Sequence, residues 1–398
     1  MAARVATGLD RVAAGEPEAI ARIAGRRVGL VAHPASVDRR LVHARDVLCA
    51  AGANIVALFG PEHGFGGEAQ DMIGVTDARD PVTGASIRSL YGGTVADLSP
   101  RAEWLAGLDA LVVDLQDVGS RYYTFVWTAA LALRAAARAG VETIVLDRPN
   151  PLGGEIIEGA AQRPGYRSFV GLYDVPVRHG MTIGELATMV RALERLDERA
   201  LSVVKMTGWD RACSWAETEL PWVLPSPNMP TPDTARVYPG GCLLEATNLS
   251  EGRGTTRPFE IFGAPFLDGR ALAEAVTAPG VVLRALTFQP TFHKHARVPC
   301  GGVQVHVTDR GALRSYALYL ELVAKARELS GDAFRWREEP YEFVAVTDRP
   351  AIDLLTGGPE YRQALRGGAD ADALGAVLAR EAAGAQAFAD ARRAWLLY

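Results

Sequence analysis

Short apolar runs rich in valine recur through the first half of the chain, each closed by polar or glycine-containing sequence. They lie at 26–34 (RRVGLVAHP), 54–60 (NIVALFG), 110–117 (ALVVDLQD), 142–149 (ETIVLDRP) and 201–208 (LSVVKMTG). Continuous apolar runs of this length predict strands buried on both faces. Helical stretches separate them: 38–52 before the second strand, 124–140 before the fourth and 182–196 before the fifth. Strand and helix in alternation imply right-handed crossovers and a mostly parallel sheet. Gly52 and Gly140 fall where a left-handed C-terminal helix cap is expected, and Thr182 and Glu185, just after His179, have capping-box spacing.

Past about residue 240 the texture changes. The run 301–309 (GGVQVHVTD) alternates, as a strand with one wet face should, while 312–331 reads as a long amphipathic helix and 370–398 as an alanine-rich terminal helix. The proline-bearing segment 220–241 reads as an irregular connection between two domains rather than a core element. The expected architecture is α/β: a mostly parallel sheet domain over 1–240 and a smaller α+β domain over 241–398.

Composition narrows the function classes. A length of 398 residues suits two domains, and 48% hydrophobic with 22% charged residues is ordinary globular usage. A net charge of −5 gives no basic field for a nucleic acid partner. Cys49, Cys213, Cys242 and Cys300 show no zinc-ligand spacing and are expected to be buried free thiols. No stretch approaches the roughly 20 uncharged apolar residues of a membrane span, and the N-terminus has no continuous apolar signal region. The default location is cytoplasmic, although a removed leader would leave the same sequence. Oligomeric state is not legible.

In an open parallel sheet, ligands bind beyond the carboxyl ends of the strands. Three strands here end in reactive sequence: GPEHG after the second, DLQDVGSRYY on the third and LDRPNPLGGE on the fourth. If those strands are neighbours, Glu62, His63, Asp114, Gln116, Asp117, Arg121, Asp147, Arg148 and Asn150 rim one crevice. The first strand leads into VAHPASVD, with neither a G-x-G-x-x-G nor a P-loop, so a nucleotide cofactor is not expected. His63 has no histidine companion at ligand spacing, and the HKH at 293–295 lies in the other domain, which argues against a catalytic metal. No G-x-S-x-G occurs. What remains is carboxylate chemistry, and glycoside hydrolysis fits it: one carboxylic acid protonates the leaving oxygen, and a second group acts at the anomeric carbon. A turn backed by Phe59, Pro61 and Phe65 would desolvate Glu62 and favour the protonated form that a general acid needs. Asp114 or Asp117 would supply the second charge, unless Asp114 is a cap or pairs with Arg121 or Arg148.

The motifs GPEHGFGG, DLQDVGSRYYTF, LDRPNPLGG, HGMTIGE, PSPNMP, NLSEGRGTTRPFE and the closing WLLY together resemble the exo-β-N-acetylmuramidase family, formerly a domain of unknown function. The resemblance runs in order from about residue 26 to 398. It implies a Rossmann-like domain, a smaller C-terminal domain and a cleft between them. That cleft would take the non-reducing end of a peptidoglycan disaccharide or muropeptide fragment and release terminal N-acetylmuramic acid from β-1,4-linked N-acetylglucosamine. The family's glutamate in G-P-E-H-G falls on Glu62, the leading general acid. An arginine fork is the natural receptor for the lactyl carboxylate of muramic acid, with Arg121, Arg148 and Arg253 as candidates.

Within the motif at 248–260, Asn248 and Glu251 join the candidates, and Gly252 and Gly254 permit a loop that closes over a cleft. Glu251 is a second candidate carboxylate or a partner of Arg253 or Arg257. Asn228 offers an amide to sugar hydroxyls or the acetamido group. Tyr122, Tyr123 and Trp127 either stack on a sugar or pack in the core. Peptidoglycan lies outside the cytoplasmic membrane, so the chain either acts on recycled fragments or has lost an export leader. The rival class is a sugar-binding or regulatory protein that keeps the crevice without the reaction.

Overall fold

The computed structural model describes residues 4–67, 78–344, 349–366 and 371–398. Five of its strands are the valine-rich runs: β1 (Arg27–Val31), β2 (Asn54–Gly60), β5 (Ala110–Val113), β6 (Glu142–Leu146) and β7 (Leu201–Val204). Two short strands, β3 (Ala78–Arg79) and β4 (Ser86–Ser89), complete a seven-stranded sheet of order β3-β4-β2-β1-β5-β6-β7. All of its pairings are parallel except that of β3 with β4. Strand order reverses at β1, so β1 lies between β2 and β5 and the ligand crevice of such a sheet falls at their carboxyl ends.

Both faces of the central strands are covered, as their continuous apolar runs require. Leu111, Val113 and Val145 enter one core with the helix Phe125–Arg138. Ala110, Val112, Ile144 and Leu146 point the other way, into a second core with Leu9, Val47 and Leu48. Gly52 and Gly140 are left-handed, at φ 85° and 71°. Thr182 and Glu185 form a reciprocal capping box at the start of the helix Ile183–Leu193.

The second domain holds an antiparallel sheet of order β8-β10-β9, from β8 (Ile261–Ala264), β9 (Val281–Phe288) and β10 (Cys300–Val307). It packs with the helix Ser315–Ser330, and the terminal helix spans Ala371–Ala391. Residues 220–241 are an irregular connection only in their first part. Thr231 caps, and Pro232 opens, a helix Pro232–Gly241 whose second half is buried, a correction to the core-free reading. Proline is suited to a first helical turn. Gly240 lies so close to Ser315 that a Cβ would collide with its carbonyl oxygen. All four cysteines are free, but only Cys242 and Cys300 are buried; Cys49 is exposed and Cys213 half-buried.

The C-terminal segment folds back onto the first domain. Arg392 donates to the carbonyls of His179, Gly180 and Gly154, and Leu397 N–H to Glu185. The Tyr398 hydroxyl donates to Asp147 at 2.8 Å, joining Thr182 Oγ1 and Gly184 N on that carboxylate. Burial outweighs these donors and raises the Asp147 carboxyl from 3.8 to about 6.

A carboxyl whose folded pKa is raised binds protons better in the native state, so its contribution is present at low pH and lost as pH rises from about 4 to about 6. We expect Asp147→Asn to abolish that trend. The unfolding free energy of wild type minus that of Asp147→Asn should fall across this window by on the order of 3 kcal/mol. Urea titrations at half-unit pH steps measure it, and a flat difference would refute the assignment.

Candidate active site

The GPEHG motif is a tight turn at the carboxyl end of β2. Gly64 N–H donates to Pro61 O at 2.9 Å, with His63 left-handed at φ 70° and Gly64 at φ 82°. Gly60 is required because a Cβ there would collide with the backbone nitrogen of Phe65 as the chain folds back. The turn leaves Glu62 and His63 only 8% and 6% exposed. Thr124 Oγ1, immediately before the helix Phe125–Arg138, donates to Glu62 Oε2 at 2.8 Å. The Tyr123 hydroxyl, buried beside Glu62, is pushed well above its usual pKa by that burial.

Glu62 and His63 open onto a narrow hollow of about 40 Å³. Of the residues singled out in the sequence, Tyr122, Tyr123, Asn228 and Arg253 also line it. Tyr122 is anchored by its hydroxyl to Pro239 O at 2.8 Å. Lining residues that escaped the sequence analysis include Ser226, Glu245, Tyr341 and Glu342. Glu245 Oε1 accepts from Arg253 Nη2 at 2.7 Å, and its Oε2 from the Tyr341 hydroxyl at 2.7 Å. Glu342 and Phe343 are the central residues of a two-residue turn closed by Val344 N–H to Tyr341 O, with φ of 46° and 65°. Both positions of such a turn ordinarily go to Asn, Asp or Gly, and no such residue stands there to give a sequence signal.

The expectation of one crevice rimmed by all the motif residues is corrected by strand order and by pairing. β1 separates β2 from β5, and the acids and arginines at the ends of β5 and β6 bind one another. Asp114 and Arg148 form a buried two-pronged pair at 2.5 and 2.7 Å, and Arg148 also donates to Val37 O. Gln116 donates to the carbonyls of Asp117 and Pro149, while its N–H meets the buried His33 ring. Burial, with Arg148 nearby, holds the His33 pKa well below its usual value. Asp117 accepts from Gly119 N–H and sits 3.5 Å from His179 Nε2. Arg121 is fully buried, donating to the carbonyls of Val175, Leu354 and Leu355. Asn150 binds Met181 O and Leu152 N–H. Asn248 binds the backbone of Ala333 and Arg335. None of these lines the hollow.

Glu251 supports the hollow from behind. It is fully buried within 3.1 Å of Arg253 Nε, 3.0 Å of His293 Nδ1 and 3.0 Å of Lys294 Nζ. Burial opposes its ionisation, but Lys294, His293 and Arg253 overcome that and hold the carboxyl well below the usual range. The loop around it is no lid: Leu249 to Gly252 are buried, and a Cβ on Gly252 would strike Ile261 O. Arg253 is thereby fixed by Glu251 and Glu245, with its guanidinium 5.3 Å from the Phe259 ring centre. Among the described residues, no cluster of His, Cys, Asp or Glu could hold a metal ion, and no helix is long and apolar enough to cross a membrane.

A parallel sheet with an acid-lined hollow at the seam with a smaller antiparallel domain defines the class. A DUF1343 family protein from Bacteroides fragilis NCTC 9343 shares this fold with a TM-score of 0.86 and 31% identity, over 99% of both chains. A second DUF1343 protein from the same organism gives 0.69 and 29%, over 100% of this chain and 99% of its own. The two domain models of the exo-β-N-acetylmuramidase NamZ family match residues 28–233 and 236–398. The peptidoglycan β-N-acetylmuramidase NamZ of Bacillus subtilis (strain 168) is 40% identical over 399 aligned positions, covering 99% of this chain and 92% of that protein. The chain belongs to the exo-β-N-acetylmuramidase NamZ family.

The Asp114–Arg148 pair is separable from any ligand role. Arg148→Leu strands a buried carboxylate and should destabilise by about 3–5 kcal/mol. The double change Asp114→Leu with Arg148→Leu should recover most of that loss in denaturant titrations. Were the double variant as unstable as the single, the pair would not be a self-contained frame.

Proposed function

We propose that this chain is an exo-acting β-N-acetylmuramidase, a glycosidase that removes N-acetylmuramic acid from the non-reducing end of peptidoglycan fragments. The observation that carries the reading is the convergence of Glu62, Glu245, Glu342 and Arg253 on one largely buried hollow between the domains. Glycoside cleavage needs a proton for the leaving oxygen and a second group at the anomeric carbon. Glu62 is the proton donor: its carboxyl is buried in a stiff turn and oriented by Thr124.

Of the other two acids, Glu245 is held through both oxygens by Arg253 and Tyr341. Glu342, which lines the hollow from a left-handed turn and lies 3.4 Å from the Tyr91 hydroxyl, is assigned as the second carboxylate. Arg253 is the receptor for the lactyl carboxylate, because it lines the hollow and Arg121 and Arg148 do not. Its fixed guanidinium offers the planar recognition that a carboxylate favours. His63 and Asn228 contribute polar groups for the hydroxyls and acetamido group of the ring.

A chromogenic β-glycoside of N-acetylmuramic acid tests the assignment. Glu62→Gln should lower kcat roughly 100- to 10,000-fold with an unchanged melting temperature, and Glu342→Gln should also act on kcat. Arg253→Lys should raise KM for the muramic acid glycoside well above any change for the N-acetylglucosamine glycoside. Equal release by wild type and Glu62→Gln would sink the mechanism.

A further inference from the structure

The HKH at 293–295 is left without a role by the reaction as derived. It lies in the loop joining β9 to β10, and that loop is strained: His293, His295 and Arg297 are all left-handed, at φ 67°, 54° and 63°. Residues of this kind persist only where surrounding structure over-determines them. Here the fastening is to the segment 244–254. Thr291 gives its N–H and its hydroxyl to Gly254 O at 3.0 and 2.9 Å, and the His295 ring donates to Asn248 O at 2.7 Å. A Cβ on Gly254 would collide with the backbone nitrogens of Thr291 and Phe292, so the two stretches of chain touch directly.

The loop delivers Lys294 to a defined place. Its Nζ donates to Leu244 O at 2.9 Å and lies 3.0 Å from Glu251 Oε2. It therefore ties together the two acids that grip Arg253, since Glu245 follows Leu244 and the guanidinium lies 2.7 Å from Glu245 and 3.1 Å from Glu251. Charge explains why a second cation is needed. Among the described residues Arg253 is the one lysine or arginine lining the hollow, while Glu245 and Glu342 line it and Glu251 lies behind. A single guanidinium shared between two carboxylates leaves a net negative surrounding, which repels an anionic substrate. Of the groups that keep Glu251 ionised against its burial, Lys294 acts most strongly.

We propose that Lys294 is a specificity-determining positioning residue: it answers the Glu251 charge, so that the field of Arg253 reaches an incoming carboxylate instead of being cancelled by the acids that hold it. This rests on the muramidase reading above, with Arg253 as the lactyl receptor. Lys294 does not line the hollow; it acts through Glu251 and Arg253. The strained loop holds the ammonium where one side chain reaches both Glu251 and Leu244 O.

The probes are the chromogenic muramic acid glycoside and the same glycoside with its lactyl carboxylate converted to the primary amide, which keeps the shape and removes the charge. In the unmodified protein the acid should have the lower KM. Lys294→Met should reduce that preference by about tenfold or more, with the loss in KM rather than kcat, and Lys294→Arg should retain most of it. Because Lys294→Met leaves a buried carboxylate short of a partner and can unfold the chain, the comparison is repeated in Glu251→Gln. That single change should raise the preference for the acid, and adding Lys294→Met should lower it again by a similar factor. Equal effects of Lys294→Met on the acid and the amide in that background would make Lys294 a structural brace and overturn the proposal. No preference for the acid in the unmodified protein overturns the Arg253 assignment and this proposal with it, while release of neither overturns the muramidase reading.

Discussion

A charge withdrawn from water needs partners within hydrogen-bonding distance, or it destabilises the fold by several kcal/mol. That constraint decides what each polar motif of this chain does. The parallel sheet is covered on both faces, so side chains at its strand ends are enclosed as the chain turns away. Asp114 there meets the Arg148 fork, and Asp147 takes donors from Thr182, Gly184 and Tyr398. Arg121 donates to three backbone carbonyls. In the second domain Glu251 gathers Arg253, Lys294 and the His293 ring.

These compensations serve the hollow by making its walls stiff. Glu251 cannot itself deliver a proton, because its cations hold it ionised; its effect is to fix Arg253, which Glu245 grips from the other side. Tyr122 and Tyr123 come from the first domain, Ser226 and Asn228 from the connection, Tyr341 and Glu342 from the second. A site assembled this way depends on the two domains holding one relative position. One apolar core supplies that constraint, running from Phe59 and Val113 of the sheet through Trp127 and Tyr238 to Phe262 and Tyr319. The C-terminal segment adds a polar clasp through Arg392 and Tyr398.

The large features of the fold were legible because they follow from burial and period. Runs such as ALVV are apolar at every position, short and valine-rich, which favours two-faced strands, and Thr182 with Glu185 announced a helix start that the structure contains. The edge strand β3 is two exposed residues and its neighbour β4 is short and half-buried, so they carry no such signature. The helix Pro232–Gly241 was masked by its prolines, one of them at the tolerated first turn. The candidate site was half legible. Glu62 stood out because glycines bracket it after a strand, and Arg253 because its motif is polar and glycine-rich. Glu245 sits in an unremarkable CLLEA, and Glu342 in a turn without glycine or asparagine. Pairing of Asp114 with Arg148 could be named as an alternative but not chosen, since strand neighbours are a tertiary fact.

The two turns that carry Glu62 and Glu342 have one property in common that bears on catalysis. Each places bulky residues in the left-handed region: His63 after Glu62, and both Glu342 and Phe343. Such residues cost about 1–2 kcal/mol apiece relative to an ordinary backbone, and they persist only where surrounding structure over-determines them. Glycine at those positions would be easier on the backbone but would forfeit the His63 and Glu342 side chains that line the hollow and loosen the turns. Reaction at an anomeric carbon requires an acid and an opposing group held at a set separation through the whole event. With Glu62 and Glu342 as the proposed pair, a fold that holds both on strained turns, braced by Thr124 on one side and Tyr91 on the other, gives up some stability for that fixed separation. Such strain is intelligible in an enzyme and has no evident use in a receptor.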